Sequence, residues 1–174
     1  MSLEIVALSD RPELLEPLEA METSWPEFML HDPMADIYFE PAVLRMFADY
    51  ILVGLDGDGA VAAKGYSIPF PAWGGAMRDD GWDGVVVRGV TAAVAGDEPD
   101  SVSAIEISVR GDLQGRGHSS QMLRAMIDNA RARGFAALFL RPVETCPARS
   151  VMLLPNRLML KNSDAACPHL GMKE

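Results

Sequence analysis

The chain has 174 residues, 49% of them hydrophobic, and carries 25 Asp and Glu against 15 Lys and Arg, for a formal net charge of −10. That is enough apolar material for one domain with its own core, and it excludes a disordered chain. The acidic balance argues against nucleic acid as a partner, since phosphates need a basic surface. It mildly favours a cationic acceptor such as an amine, although acidic surfaces also simply keep proteins soluble. No apolar run approaches the roughly 20 residues of a membrane span, and the N-terminus lacks the basic-then-apolar order of a secretory signal. A cytoplasmic setting is the default expectation. Cys146 and Cys167 do not suggest a disulfide framework, and with His31, His118 and His169 they show no metal-ligand spacing.

Taken in order, residues 3–8 read as a short strand, after which Ser9 or Asp10 can cap a helix. Pro12 near the first turn, with Leu14, Leu15, Leu18 and Met21 on one face, predicts that helix over residues 11–22. Residues 25–33, WPEFMLHDP, are aromatic and broken by proline, and a second helix is predicted over about 41–49. Residues 50–55 and 60–68 are strands joined by Asp56-Gly57-Asp58-Gly59, a hairpin turn. These four residues resemble the start of a calcium loop, but Ala60 and Ser67 stand where such a loop needs an oxygen ligand and its final Glu. Residues 69–84, rich in Pro, Gly and Trp, read as irregular. Residues 85–95 then read as a helix, ended by Gly96-Asp97-Glu98-Pro99-Asp100.

The densest signal runs from residue 103 to 143. Residues 103–109 alternate as a strand, with Ala104, Glu106 and Ser108 on one side and Ile105, Ile107 and Val109 on the other. A glycine-punctuated turn follows. Met122, Leu123, Met126, Ile127 and Ala130 then make one face of a helix, with Arg131 and Arg133 in its last turn and Gly134 as its C-cap. Residues 135–140 are a short apolar strand ended by Pro142. A glycine loop opening into a helix presents unpaired N–H groups at the positive end of the helix dipole, an arrangement that binds phosphate. Gly115, Gly117 and Ser119 are small enough to let a pyrophosphate reach the main chain, and Arg116 and His118 add charge or donors beside it.

Gln114-Gly115-Arg116-Gly117-His118-Ser119 resembles the acyl-CoA signature Gln/Arg-x-x-Gly-x-Gly/Ala of the GNAT superfamily of N-acetyltransferases, with Ser119 in place of the final Gly or Ala. The resemblance implies an α/β (α+β) fold: a mixed, twisted central sheet flanked by helices, with a splayed fourth strand. It implies one domain over 1–174, with the core at 3–143 and an atypical tail at 144–174. It implies acetyl-CoA as cosubstrate and no metal. The pyrophosphate would lie on Gln114, Gly115, Arg116, Gly117, His118, Ser119 and Ser120, and the pantetheine and thioester against Ile107, Ser108 and Val109. A neutral amine of a small molecule or protein would attack the thioester directly in a ternary complex. Glu106, a carboxylate inside an apolar strand, is the candidate base.

By the same analogy Trp25, Phe28 and His31 are candidates for acceptor contact, and the helix over 85–95 is an insertion that shapes the acceptor site. The tail lacks a clear helix and has two short strand candidates, 151–154 and 158–160. No tyrosine follows Tyr66, so the tyrosine that often reprotonates the thiolate has no counterpart; Ser119, Cys146 and Asn156 are the conceivable acids, or solvent. The alternative reading is a catalytically weak module of this fold that binds acyl-CoA or a protein partner without turnover. No membrane partner is expected, and a homodimer is the assembly to test. Other classes fit worse. Gly115-x-Gly117 lacks the third glycine of a dinucleotide fingerprint, a P-loop lysine is missing, and Gly117-His118-Ser119-Ser120 is not a nucleophile elbow.

Overall fold

A computed structural model of the chain describes residues 2–22, 33–72, 81–136, 138–139, 149–154 and 157–162. Five strands, β1 (Glu4–Ala7), β2 (Ile51–Leu55), β3 (Val61–Phe70), β4 (Ser101–Val109) and β5 (Leu138–Phe139), form a mixed sheet in the order β1-β2-β3-β4-β5. The first four pair antiparallel, whereas β4 and β5 are parallel. The helices are α1 (Leu15–Ala20), α2 (Pro33–Tyr38), α3 (Pro41–Met46), α4 (Gly81–Ala95) and α5 (His118–Ala132). In the tail, β6 (Arg149–Leu154) and β7 (Arg157–Asn162) pair as a separate antiparallel hairpin. Among the described residues no helix is long and apolar enough to cross a membrane.

The sheet buries both faces. On one, Met122, Met126, Ile127 and Ala130 of α5 pack with Leu52, Ala63, Val102 and Leu138. Gly65 makes that approach possible: a Cβ there would meet Met126 Sδ at 3.0 Å and Met122 Cε at 3.1 Å. On the other face Leu14, Leu15 and Leu18, with Tyr38, Leu44, Phe47, Val85 and Val86, cover Ile51, Val53, Tyr66 and Ile68. Burial of large apolar side chains at about 25 cal/mol per Å² dominates the stability of such a two-sided core. The end of α5 is a Schellman motif: Gly134 has φ +86°, its N–H donates to Arg131 O, and Phe135 N donates to Ala130 O.

The structure revises several predicted bounds. Residues 12–14 are a 3₁₀ turn ahead of the shorter α1. A helix, α2, begins at Pro33, where proline's fixed φ suits a first helical position. β3 runs on through Pro69 to Phe70, and α4 starts at Gly81. The Asp56 turn is held by its own carboxylate, which accepts from the N–H groups of Asp58 and Ala60. The alternation along β4 also changes. Tyr66 pairs with Glu106 but Ser67 pairs with Ala104, so Ile105 is an extra residue, a β-bulge. Ala104 therefore joins Ile107 and Val109 against α5, and Ile105 turns to the opposite core.

Candidate functional site

β4 lies between β3 and β5, yet its register with β5 covers only Val102 and Ser103. Beyond Ser103 its second edge has no strand partner among the described residues. The main chain there can be oriented. Arg110 N donates to Ala62 O on β3, and peptide groups alternate sides along a strand. The N–H and C=O of Ile107 and Val109 therefore point to the open edge, and those of Ser108 point to β3. The Val109 carbonyl is taken by Gln114, whose Nε2 donates to it at 3.1 Å. The first residue of the signature thus closes the loop back onto the strand it left.

The turn has the conformation its glycines allow. A 3₁₀ turn, Gly111–Leu113, leads to Gly115 at φ +74° and Gly117 at φ +84°, both left-handed. Gly117 is the N-cap of α5 and supplies no side-chain cap. The first intrahelical bond runs from Gln121 N to Gly117 O, so the amides of His118, Ser119 and Ser120 have no acceptor within the helix. Nothing lies within 4 Å of a Cβ built on Gly115 or Gly117, so the space over the turn is open. Gln114, Gly115, Arg116, Gly117, Ser119 and Ser120 are exposed, whereas His118 is buried.

Glu106 and Ser108 lie on the sheet face away from α5, with Tyr66 directly opposite Glu106 and Lys64 directly opposite Ser108. Both carboxylate and hydroxyl are buried, and Ser108 Oγ donates to Glu106 Oε1. Lys64 Nζ donates to Met21 O at 2.9 Å, at the end of α1. Burial holds the Lys64 ammonium below its usual range, partly offset by the Glu106 charge. Burial pushes the Tyr66 phenol up, and Glu106 adds to that rise. Tyr38, which donates to Ser67 O at 3.1 Å, is raised for the same reasons. A groove of about 570 Å³ opens between Leu14, Pro17 and Met21 on one side and Val61, Arg110 and Gly111 on the other, sharing with the cluster only Met21, the acceptor of Lys64.

The fold is similar to that of a GNAT family acetyltransferase from Brucella melitensis in complex with acetyl-CoA. The TM-score is 0.54 at 13% identity, over 92% of this chain and 93% of that one. The fold is that of the GNAT superfamily. The mosquito arylalkylamine N-acetyltransferase like 5b is similar at TM-score 0.51 and 13% identity, over 80% of this chain and 76% of its own. The Aedes aegypti arylalkylamine N-acetyltransferase 2 follows at 0.50 and 12%, over 83% and 78%. Neither a family model nor a curated protein matches the sequence.

Within this GNAT fold the residues of the predicted signature fall together on one turn, and Glu106 falls on the neighbouring strand. Trp25, Phe28 and His31 lie outside the described residues. The sequence reading missed Lys64, Tyr66 and Arg110. Lys64 left a signal, being the one charged residue in VAAKGYSIPF of β3. Asp112 lies two residues from Arg110, but Asp56 is remote in sequence, and only the paired β2–β4 strands bring it to them.

Proposed function

We propose that the chain is an acyl-CoA-dependent acyltransferase that moves an acetyl group from acetyl-CoA to a primary amine. The observation that carries this reading is a bulged strand, without a strand partner on one edge after Ser103 among the described residues, that runs into two left-handed glycines at the start of α5. The likeness to an acetyltransferase crystallised with acetyl-CoA supports it.

In this reading the pyrophosphate takes the amides of His118, Ser119 and Ser120, where the α5 dipole favours an anion. The exposed guanidinium of Arg116 adds charge, and the two glycines keep side chains away. The pantetheine arm pairs with the open-edge carbonyl of Ile107 and N–H of Val109, as an added strand would. The Ile107 N–H then polarises the thioester carbonyl as negative charge develops on its oxygen. Glu106 first takes a proton from the acceptor's ammonium, directly or through a water, freeing the nitrogen lone pair, and Ser108 fixes the carboxylate's orientation. The neutral amine nitrogen bonds to the carbonyl carbon and the C–S bond breaks. The second nitrogen proton passes to the departing thiolate, directly or through solvent, leaving the amide and the free thiol of coenzyme A.

Acceptor-dependent release of free thiol from acetyl-CoA tests this reading, with a panel of primary amines and Glu106→Gln as control. Thiol release that needs an amine and falls in the variant supports transfer. Tight acetyl-CoA binding with no acceptor-dependent release favours the second reading, a binding module without turnover, which the lack of any tyrosine after Tyr66 keeps in view.

A further inference from the structure

Arg110 is the last residue before the signature loop, and its contacts converge on a small area. Nε donates to Asp112 Oδ1 at 2.8 Å and Nη2 to Asp112 Oδ2 at 3.3 Å, a two-pronged grip on that carboxylate. Nη2 also donates to Asp56 Oδ2 at 2.9 Å, and Nη1 to Val61 O at 3.1 Å. Asp56 is itself fixed, because its other oxygen accepts from Asp58 and Ala60. The guanidinium is therefore anchored on the β2–β3 turn and laid over Asp112.

Asp112 is the only acidic residue from Gly111 to Ser120. It lies in the 3₁₀ turn that feeds Gln114-Gly115-Arg116-Gly117, with 62% of its side chain exposed. A bare carboxylate there has the wrong sign for a phosphate receptor, and Arg116 follows it four residues later on the same turn. Left uncovered, Asp112 would draw on Arg116 and repel the diphosphate that the turn is shaped to hold.

We propose that Arg110 is a positioning residue for anion binding: anchored by Asp56, it covers Asp112 and so leaves Arg116 and the α5 N-terminus to the pyrophosphate. This rests on the acyl-CoA reading above. A plain tether between the hairpin and the loop would share the same contacts, but it predicts a different response when Asp112 loses its charge.

The test is equilibrium titration with acetyl-CoA of the wild type, Arg110→Gln, Asp112→Asn and the double variant, at low and high salt, with thermal melts of each. Arg110→Gln should weaken binding about tenfold at low ionic strength and less at high salt, as expected for one charge at this range. Adding Asp112→Asn should restore affinity to within about threefold of wild type. Asp112→Asn alone, which keeps Arg110 on Asp56, should bind at least as tightly as wild type. Wild-type affinity in Arg110→Gln, a double variant that melts normally yet binds as weakly as Arg110→Gln, or weakened binding in Asp112→Asn would each overturn the proposal. A folded wild type that binds no acetyl-CoA would instead remove the acyl-CoA reading, and this inference with it.

Discussion

Tyr66 of β3 faces Glu106 of β4 at the last pair before the register slips, and the extra residue, Ile105, sits immediately beyond it. Without the bulge, strict alternation would put Ala104 on the same face as Glu106. With it, Ile105 seals the core beside Glu106 and Ala104 turns under α5. The bulge therefore decides what surrounds the one carboxylate in β4, while Lys64 and Tyr66 stand across from it on β3.

That placement makes Glu106→Gln a selective test of base chemistry. The amide keeps the size of the carboxylate and an oxygen that can accept from Ser108, so the fold and acetyl-CoA affinity should change little. Turnover with an ammonium acceptor should fall about 100-fold, the usual scale for losing a general base. Steady-state kinetics beside a binding titration checks this. An unchanged rate would move the base elsewhere.

Alkaline pH should expose the buried phenols. The chain has three tyrosines, Tyr38, Tyr50 and Tyr66, and burial raises all of them, Tyr38 and Tyr66 most. Above about pH 10 the unfolded chain loses phenolic protons that the native state keeps, so stability falls as pH rises, by about 1.4 kcal/mol per pH unit for each fully shifted phenol. Lys64, lowered by burial, acts in the opposite sense only below about pH 10.5. Tyrosinate absorbance should therefore reach no more than one residue's worth before the protein unfolds, and the rest should appear with unfolding. Smooth titration of all three in folded protein would contradict the burial of Tyr38 and Tyr66.

Gly89 tests how α4 is docked. A Cβ at that position would meet Ile68 Cδ1 at 2.5 Å, Ile68 Cγ1 at 2.6 Å and the Pro69 carbonyl oxygen at 2.9 Å. Alanine would add about 1 kcal/mol of helix propensity, but the carbonyl belongs to β3 and cannot rotate away as a side chain can. Overpacking of about 1–3 kcal/mol should exceed that gain, so Gly89→Ala should lower the Tm by several degrees in a thermal melt. An unchanged or raised Tm would show that α4 sits further from β3.

Much of this was legible in the sequence where local signals agree. The run from strand to glycine turn to helix to strand is written in β-branched alternation, paired glycines and a helical apolar face, and β4, α5 and Gly134 appear where those signals place them. The splay of β4 from β5 came from the family resemblance, and the paired register ends at Ser103. Less visible were features set by tertiary contact. The bulge at Ile105 has no sequence marker, since Ile105-Glu106-Ile107-Ser108 alternates well. α2 was hidden behind a proline that reads as a breaker but serves as a helix start. The Arg110 cluster needs Asp56 brought from the β2–β3 turn to the Arg110–Asp112 pair, and spacing along the chain does not encode that.

The central claim is that the turn at Gly115 and Gly117 receives the pyrophosphate of an acyl-CoA. Gly117 has φ +84° and open space where its Cβ would be. Gly117→Glu should thus cost about 1–2 kcal/mol of backbone strain, leaving a folded protein with a carboxylate over the turn. Calorimetric titration of both proteins with acetyl-CoA is the most direct measurement. The account predicts micromolar binding to the wild type and none to the variant. No binding by folded wild-type protein, or equal binding by the two, would contradict it.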